Sequence, residues 1–179
     1  MKFENTYKGK KVLITGHTGF KGSWLTIWLK HLGADVYGVS DDIPTTPSHF
    51  KESNLSKEIN EKYFDIRDLK KLKDFITEVE PDFIFHLAAQ ALVKESYLNP
   101  IDSITINAIG TANVLDVVKD LNHELILILI TSDKAYENLE WKWGYRESDR
   151  LAGKDPYSAS KSMAEIVINS YFDSFLCHK

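Results

Sequence analysis

Residues 12–33 hold the feature that most limits the possible folds: a short β-branched run, a glycine-punctuated turn, and then an apolar repeat at helical spacing. Val12-Leu13-Ile14-Thr15 reads as a strand ended by Gly16. Residues 20–32 place Trp24, Leu25, Trp28, Leu29 and Leu32 on one helical stripe, and Gly33 is the stop. Between them, Gly16-His17-Thr18-Gly19-Phe20-Lys21-Gly22 has glycine at its first, fourth and seventh places. Glycines at such a junction allow a tight turn, close approach of backbone to a ligand, and close helix-to-strand contact. The helix N-terminus then offers unpaired N–H groups and a partial positive charge to an anion. Glycine triplets mark turns of every kind. At the first strand-to-helix junction this one points to a dinucleotide pyrophosphate.

The remaining chain continues the alternation. Residues 35–40 read as a second strand. After a polar, proline-containing loop, Lys62-Tyr63-Phe64 reads as a third. A helix over residues 69–79 and a strand over 82–87 follow, then a long amphipathic helix over 101–121 and a strand over 125–131. A last helix starts at Pro156, a residue suited to a first helical turn, and runs to about residue 175. Such alternation predicts an α/β fold with a doubly wound parallel sheet covered on both faces. Trp24 and Trp28 are expected to pack their helix on that sheet. With 179 residues, 43% hydrophobic and 27% charged, the chain fits one soluble domain, 1–179.

Charge excludes some partners. Lys plus Arg number 22 against 26 Asp plus Glu, so neither nucleic acid nor an anionic membrane is indicated. The aliphatic run 125–130 is too short to span a bilayer, and residues 1–11 are too polar for a signal peptide. The single cysteine, Cys177, forms no disulfide framework and suits a reducing compartment. No metal is expected, and the chain reads as cytoplasmic.

Asp41 and Asp42 lie about 20 residues beyond the glycine turn, where an acid can take an adenosine ribose 2′-OH. No Arg stands beside them to receive a 2′-phosphate, which favours NAD over NADP, although Lys21 supplies a nearby cation. Asp42 equally suits the start of a loop. Tyr157 and Lys161 stand one helical turn apart, and an ammonium near a phenol makes the phenol a usable base. Tyr7 and Lys11 share that spacing but precede the first strand, away from the edge where ligands of such sheets bind. Thr131-Ser132-Asp133-Lys134 closes the fifth strand. Its hydroxyl, carboxylate and ammonium suit a polar cap or a site, and the Tyr–Lys pair downstream favours a site.

Together these residues resemble the extended short-chain dehydrogenase/reductase family over nearly the whole chain. The likeness rests on the glycine turn, Asp65-Ile66-Arg67-Asp68, His86-Leu87-Ala88-Ala89-Gln90, Asn107 with Gly110-Thr111, and Tyr157 with Lys161. Gly16 to Trp24, Thr131-Ser132-Asp133-Lys134 and Trp143-Gly144-Tyr145-Arg146-Glu147 look most like the CDP-glucose 4,6-dehydratase branch. The resemblance implies a Rossmann fold holding NAD. Its implied contacts are Gly16, Thr18, Gly19, Phe20, Lys21, Gly22, Asp41, Asp42, Asp65, Ile66, Leu87, Ala88, Ala89, Gln90, Asn107, Thr131, Tyr157 and Lys161. Asp65 and Ile66 would flank the adenine, and Lys161 would bind the nicotinamide ribose.

It also implies a reaction on a nucleotide sugar: oxidation at C4, loss of water across C5 and C6, and hydride return to C6. Tyr157 would take the 4-hydroxyl proton with Ser132 bonded to that hydroxyl, Lys134 would be the base at C5, and Asp133 the acid at the 6-hydroxyl. A 4-epimerase is the nearest rival, but it expels no water and so has no use for Asp133 and Lys134. A dTDP-glucose relative usually carries Glu where Lys134 stands, and a non-catalytic NAD-binding module is the rival from another class. Relatives are longer, so a sixth strand and a C-terminal substrate domain are expected to be lacking, with an inactive fragment the consequence. A homodimer through the helices that start near Ile101 and Pro156 is the expected assembly.

Overall fold

Four of the five residues of β1 (Lys11–Thr15), namely Val12, Leu13, Ile14 and Thr15, are sealed from solvent, which fixes this strand at the centre of a sheet. The computed structural model describes Phe3 and residues 5–177, which form two compact units. The first unit takes the residues up to 88 and then 120–130. Its sheet contains β1, β2 (Asp35–Ser40), β3 (Asn60–Tyr63), β4 (Phe83–His86) and β5 (Ile126–Leu129). All neighbours pair in parallel, in the order β3-β2-β1-β4-β5, with Val12 opposite Val36 on one side and Phe83 on the other. This is the Rossmann-type parallel α/β arrangement expected from the alternation.

α1 (Phe20–His31) corrects one expectation. Its buried face is Gly22, Ser23, Thr26 and Leu29, whereas Trp24 and Trp28 are 53% and 54% exposed. The indoles do not pack the helix on the sheet. A Cβ on Gly22 would lie 2.1 Å from the Gly16 carbonyl oxygen, so the first turn has no room for a side chain there, while Leu29 of the expected stripe is buried and Leu25 packs on the core. Trp24 instead stacks on His49, ring centroids 4.5 Å apart, and Trp28 meets Phe3 edge-on. Gly33, at φ +81°, ends the helix in the left-handed region that glycine adopts most readily.

The loop after β2 contains a short helix, α2 (His49–Glu52), capped by Ser48, whose Oγ accepts the Lys51 N–H. β3 begins two residues before its expected start and leaves Phe64 outside it, buried against Phe75 of α3 (Leu69–Val79). α3 turns Leu72, Phe75, Ile76 and Val79 inward, and Asp68 caps it. β4 and β5 are shorter than read. β5 is also half exposed rather than buried on both faces, because it is an edge strand.

The second unit takes residues 89–119 and those from 131 onward. α4 (Val93–Leu98) occupies a stretch without a helical signal in the sequence. The long helix expected over 101–121 is built as α5 (Pro100–Ile104), a π-helical turn (Thr105–Ile109) and α6 (Gly110–Lys119). α7 (Pro156–Tyr171) ends in a second π turn (Phe172–Leu176). Among the described residues no helix is long and apolar enough to cross a membrane.

Candidate functional site

The first unit carries the glycine turn. Gly16 has φ +77°, and a Cβ there would stand 2.7 Å from the Ala88 nitrogen, so Leu87 and Ala88 close directly on the turn. The Ala88 N–H donates to Thr15 Oγ1, which lies 2.7 Å from Nδ1 of the buried His86. Gly19 is the N-cap of α1; no side chain caps it, no acid stands in the first turn, and Lys21 is exposed there. A helix start left bare and free of negative charge fits a phosphate-bearing cofactor.

The other sequence-predicted residues of this unit divide by what they already hold. Thr18 is buried and donates from Oγ1 to the Asp42 carbonyl at 2.6 Å, tying the turn to the loop after β2. Phe20 is exposed at the mouth of the turn. Asp41 and Asp42 are exposed, and Asp41 Oδ1 accepts the Asp42 N–H at 3.0 Å. Asp65 is gripped by Arg67, whose Nε and Nη2 reach Oδ2 at 2.9 and 2.6 Å. That guanidinium pulls the Asp65 carboxyl below its ordinary range against the upward effect of partial burial. Ile66 beside it is buried.

The reading missed His17. The ring is buried; Nδ1 lies 3.0 Å from Ser40 Oγ and Nε2 2.8 Å from Glu61 Oε2. A Cβ on Gly38 would come within 2.5 Å of its Cγ, so the ring fills the space glycine leaves in β2. His17 thus links the turn to β2 and β3. A polar residue inside a glycine-rich turn was the only available signal.

The second unit carries the Tyr–Lys helix. Asp155 caps α7, accepting from Ser158 N–H at 2.9 Å and Ser158 Oγ at 2.6 Å, and Pro156 opens the first turn. Tyr157 and Lys161 are 9% and 6% exposed. The Tyr157 N–H donates to Ser96 Oγ of α4 at 3.1 Å. Asn107, in the π turn, donates from Nδ2 to Ser160 Oγ at 2.8 Å and to the Gln90 carbonyl at 3.0 Å, and accepts the Gln90 N–H through Oδ1 at 2.8 Å. π turns often sit at functional positions, and this one aims Asn107 at α7. Asn107 and Gln90 are thereby joined to the Tyr–Lys helix, and Ala89 precedes them, half-buried.

Thr131-Ser132-Asp133-Lys134 forms a 3-10 turn (Asp133–Ala135) capped by Ser132, whose Oγ accepts the Lys134 N–H. Asp133 and Lys134 are exposed. The turn is tied to α7, since Ser162 Oγ donates to the Ala135 carbonyl at 2.6 Å. Lys134 also lowers the carboxyl of Asp155: burial pushes that group up, and the Ser158 and Tyr157 hydrogen bonds together with Lys134 outweigh it. The exposed acid–base pair and the buried Tyr–Lys pair therefore belong to one packed unit.

Comparison with known proteins follows the same lines. The GDP-mannose 4,6 dehydratase family profile matches residues 13–178. A CDP-glucose 4,6-dehydratase of Salmonella typhimurium is 46% identical over 96% of this chain and 48% of its own length. A CDP-paratose 2-epimerase of Salmonella typhi is 32% identical over 90% of this chain and 52% of its own. Among solved structures, an epimerase from Methanothermobacter thermautotrophicus superposes with a TM-score of 0.83 at 28% identity, covering 98% of this chain and 51% of that one. The NAD complex of a Thermus thermophilus UDP-glucose 4-epimerase does so with a TM-score of 0.76 at 26% identity, covering 92% and 51%. The chain spans about half the length of the relatives it matches. With that match over nearly all of its residues, the chain belongs to the GDP-mannose 4,6 dehydratase family of extended short-chain dehydrogenases/reductases.

Proposed function

We propose that this chain supplies the cofactor-binding and catalytic residues of an NAD-dependent sugar-nucleotide 4,6-dehydratase that converts CDP-glucose to CDP-4-keto-6-deoxyglucose and water. The observation that carries the reading is the union, in one packed unit, of the buried Tyr157–Lys161 pair with the exposed Asp133–Lys134 pair on a turn bonded to the same helix. A 4-epimerase needs only the first pair. The 46% identity to a CDP-glucose 4,6-dehydratase points the same way.

The glycine turn from Gly16 to Gly22, with Thr18, Phe20 and Lys21, would hold the pyrophosphate of NAD; Asp41 and Asp42 would take the ribose, and Asp65 and Ile66 the adenine. Leu87, Ala88, Ala89, Gln90, Asn107 and Thr131 complete the proposed cofactor set, with Tyr157 and Lys161 at the nicotinamide ribose. When bound, NAD supplies a hydride acceptor for C4 and the hydride returned to C6. Tyr157 takes the 4-hydroxyl proton while Ser132 hydrogen-bonds that oxygen. The resulting 4-keto group acidifies the C5 proton, which Lys134 removes and gives back to C5 as the hydride reaches C6. Asp133 gives its proton to the 6-hydroxyl, which leaves as water.

The assembly we propose is a homodimer through α5, the π turn and α7. It is supported by exposed Ile101, Ile109, Met163 and Ile166 on those elements. The test of function is incubation of the natural full-length protein with CDP-glucose and NAD, read by the alkali-induced absorbance of a 4-keto sugar. A C4 epimer formed without keto product would replace the dehydratase reading with its rival.

A further inference from the structure

We infer that Glu165 is a positioning residue that, through Thr131, sets the register of Ser132, Asp133 and Lys134; the inference rests on the dehydratase reading and deepens it. Glu165 lies one helical turn beyond Lys161 and two beyond Tyr157, so the three form one stripe of α7. Thr131 Oγ1 donates to Glu165 Oε1, an ionisable acceptor. At the other end of the segment, Ser162 Oγ donates to the Ala135 carbonyl and accepts the Gly153 N–H at 3.0 Å.

Between these two ties, the hydrogen bonds of the turn are internal. Ser132 Oγ donates to Asp133 Oδ1 at 3.2 Å and accepts the Lys134 N–H at 3.3 Å, and the Ser132 carbonyl accepts the Ala135 N–H. A turn that bonds only to itself takes its position from its two ends. Glu165 anchors the end that precedes Ser132, and Ser162 the end that follows Lys134, where the Ala135 carbonyl also accepts the Ala152 N–H and Tyr136 bridges to Leu151. At Tyr136, the residue after the turn, burial first and then the charges of Glu165, Glu147 and Asp149 push the phenol up. One helix therefore presents Tyr157 and Lys161 and also holds Thr131 and Ala135, the residues that flank Ser132, Asp133 and Lys134.

The test compares E165A, E165Q, T131V and the T131V/E165A double variant in the natural full-length protein. E165A and T131V are expected to lower kcat for elimination about tenfold or more, since small misplacements cost that much, while in E165A NAD affinity stays at the wild-type value. E165Q keeps an acceptor oxygen for Thr131 and is expected to stay within about threefold of wild type. The double variant should be no slower than the worse single one, because both remove one bond. Wild-type kcat in E165A, an E165Q loss as large as that of E165A, or multiplying losses in the double variant would each overturn the assignment. The geometry is read separately on the 179-residue chain without substrate: amide exchange at Ala135 and Tyr136 should quicken about tenfold in E165A but not in E165Q. If the protein dehydrates no CDP-glucose, the dehydratase reading falls while this exchange result still decides the tie; equal exchange in E165A and wild type sinks the tie itself.

Discussion

His17 shows how one side chain can decide whether a cofactor turn keeps its shape. Its ring lies under Gly38, between Ser40 and Glu61, with Phe50 edge-on to it at 5.2 Å between centroids. Gly38→Ala would place a methyl 2.5 Å from the ring, and the ring has little room to retreat. The expected loss is about 1–3 kcal/mol, as for other overpacked cores. Urea unfolding checks it, and an unchanged midpoint would show that the ring can move. The residues proposed as catalytic make a sharper prediction. Tyr157→Phe should abolish formation of enzyme-bound NADH, whereas Lys134→Ala should spare that step and slow elimination by about 10²–10⁴-fold. Solvent deuterium entering C5 at an unchanged rate in Lys134→Ala would remove Lys134 as the base. The tyrosine–lysine spacing alone could not have identified the pair. Tyr7 packs on Phe83 and Phe85, and Lys11 Nζ donates to the Val79 carbonyl, so the first such pair is structural. Position in the element order separated the two. His17, Ser96 and Glu165 were illegible because their bonds join residues 44, 61 and 34 positions apart, and no local pattern records such contacts.

Among the elements, those specified by local rules were the readable ones. α3 keeps its expected bounds and α7 begins at Pro156 as expected, each capped by the aspartate before it, Asp68 and Asp155, and β2 keeps its expected bounds. α1 keeps nearly its expected span and buries Leu29 of the expected stripe, but its two indoles face outward, because indoles are too large for the inner face next to Gly22, where a Cβ would already meet the Gly16 carbonyl. The π turn around Asn107 left no trace in an otherwise continuous amphipathic stretch. α7 allows a test of its start. Asp155→Ala removes an N-cap and should cost about 1 kcal/mol, while Asp155→Asn, an equally good cap, should cost less. The pH dependence follows from the lowered Asp155 carboxyl. A group whose folded pKa lies below its unfolded value contributes stability that is present above the unfolded pKa of about 3.9 and is lost as pH falls through the folded one. The gap between wild type and Asp155→Ala should therefore be full above about pH 5 and narrow on acidification. A gap that widens towards acid would contradict the assigned direction.

At the scale of the whole molecule, strands alternating with helices predicted the parallel sheet, while the exposure of β5 follows from its place at the end of the order β3-β2-β1-β4-β5. β5 pairs with β4 along one side only, and Ile126 on it is 55% exposed. An edge strand with bare backbone groups and aliphatic side chains is a template for pairing with another chain. We expect the chain to bind NAD more tightly than NADPH in calorimetric titration, since Asp41 and Asp42 repel a 2′-phosphate. We also expect it to self-associate through β5 as its concentration rises. Ile126→Lys places a charge on that edge. It should reduce association seen by sedimentation while moving stability by no more than about 0.5 kcal/mol, the usual range for an exposed site. Ile166→Lys, on the exposed face of α7, separates the edge from the proposed helical dimer interface. If Ile166→Lys abolishes association and Ile126→Lys leaves it intact, the helices carry it and the edge does not. Slow amide exchange along residues 126–129 in a proven monomer would show that β5 is protected without any partner.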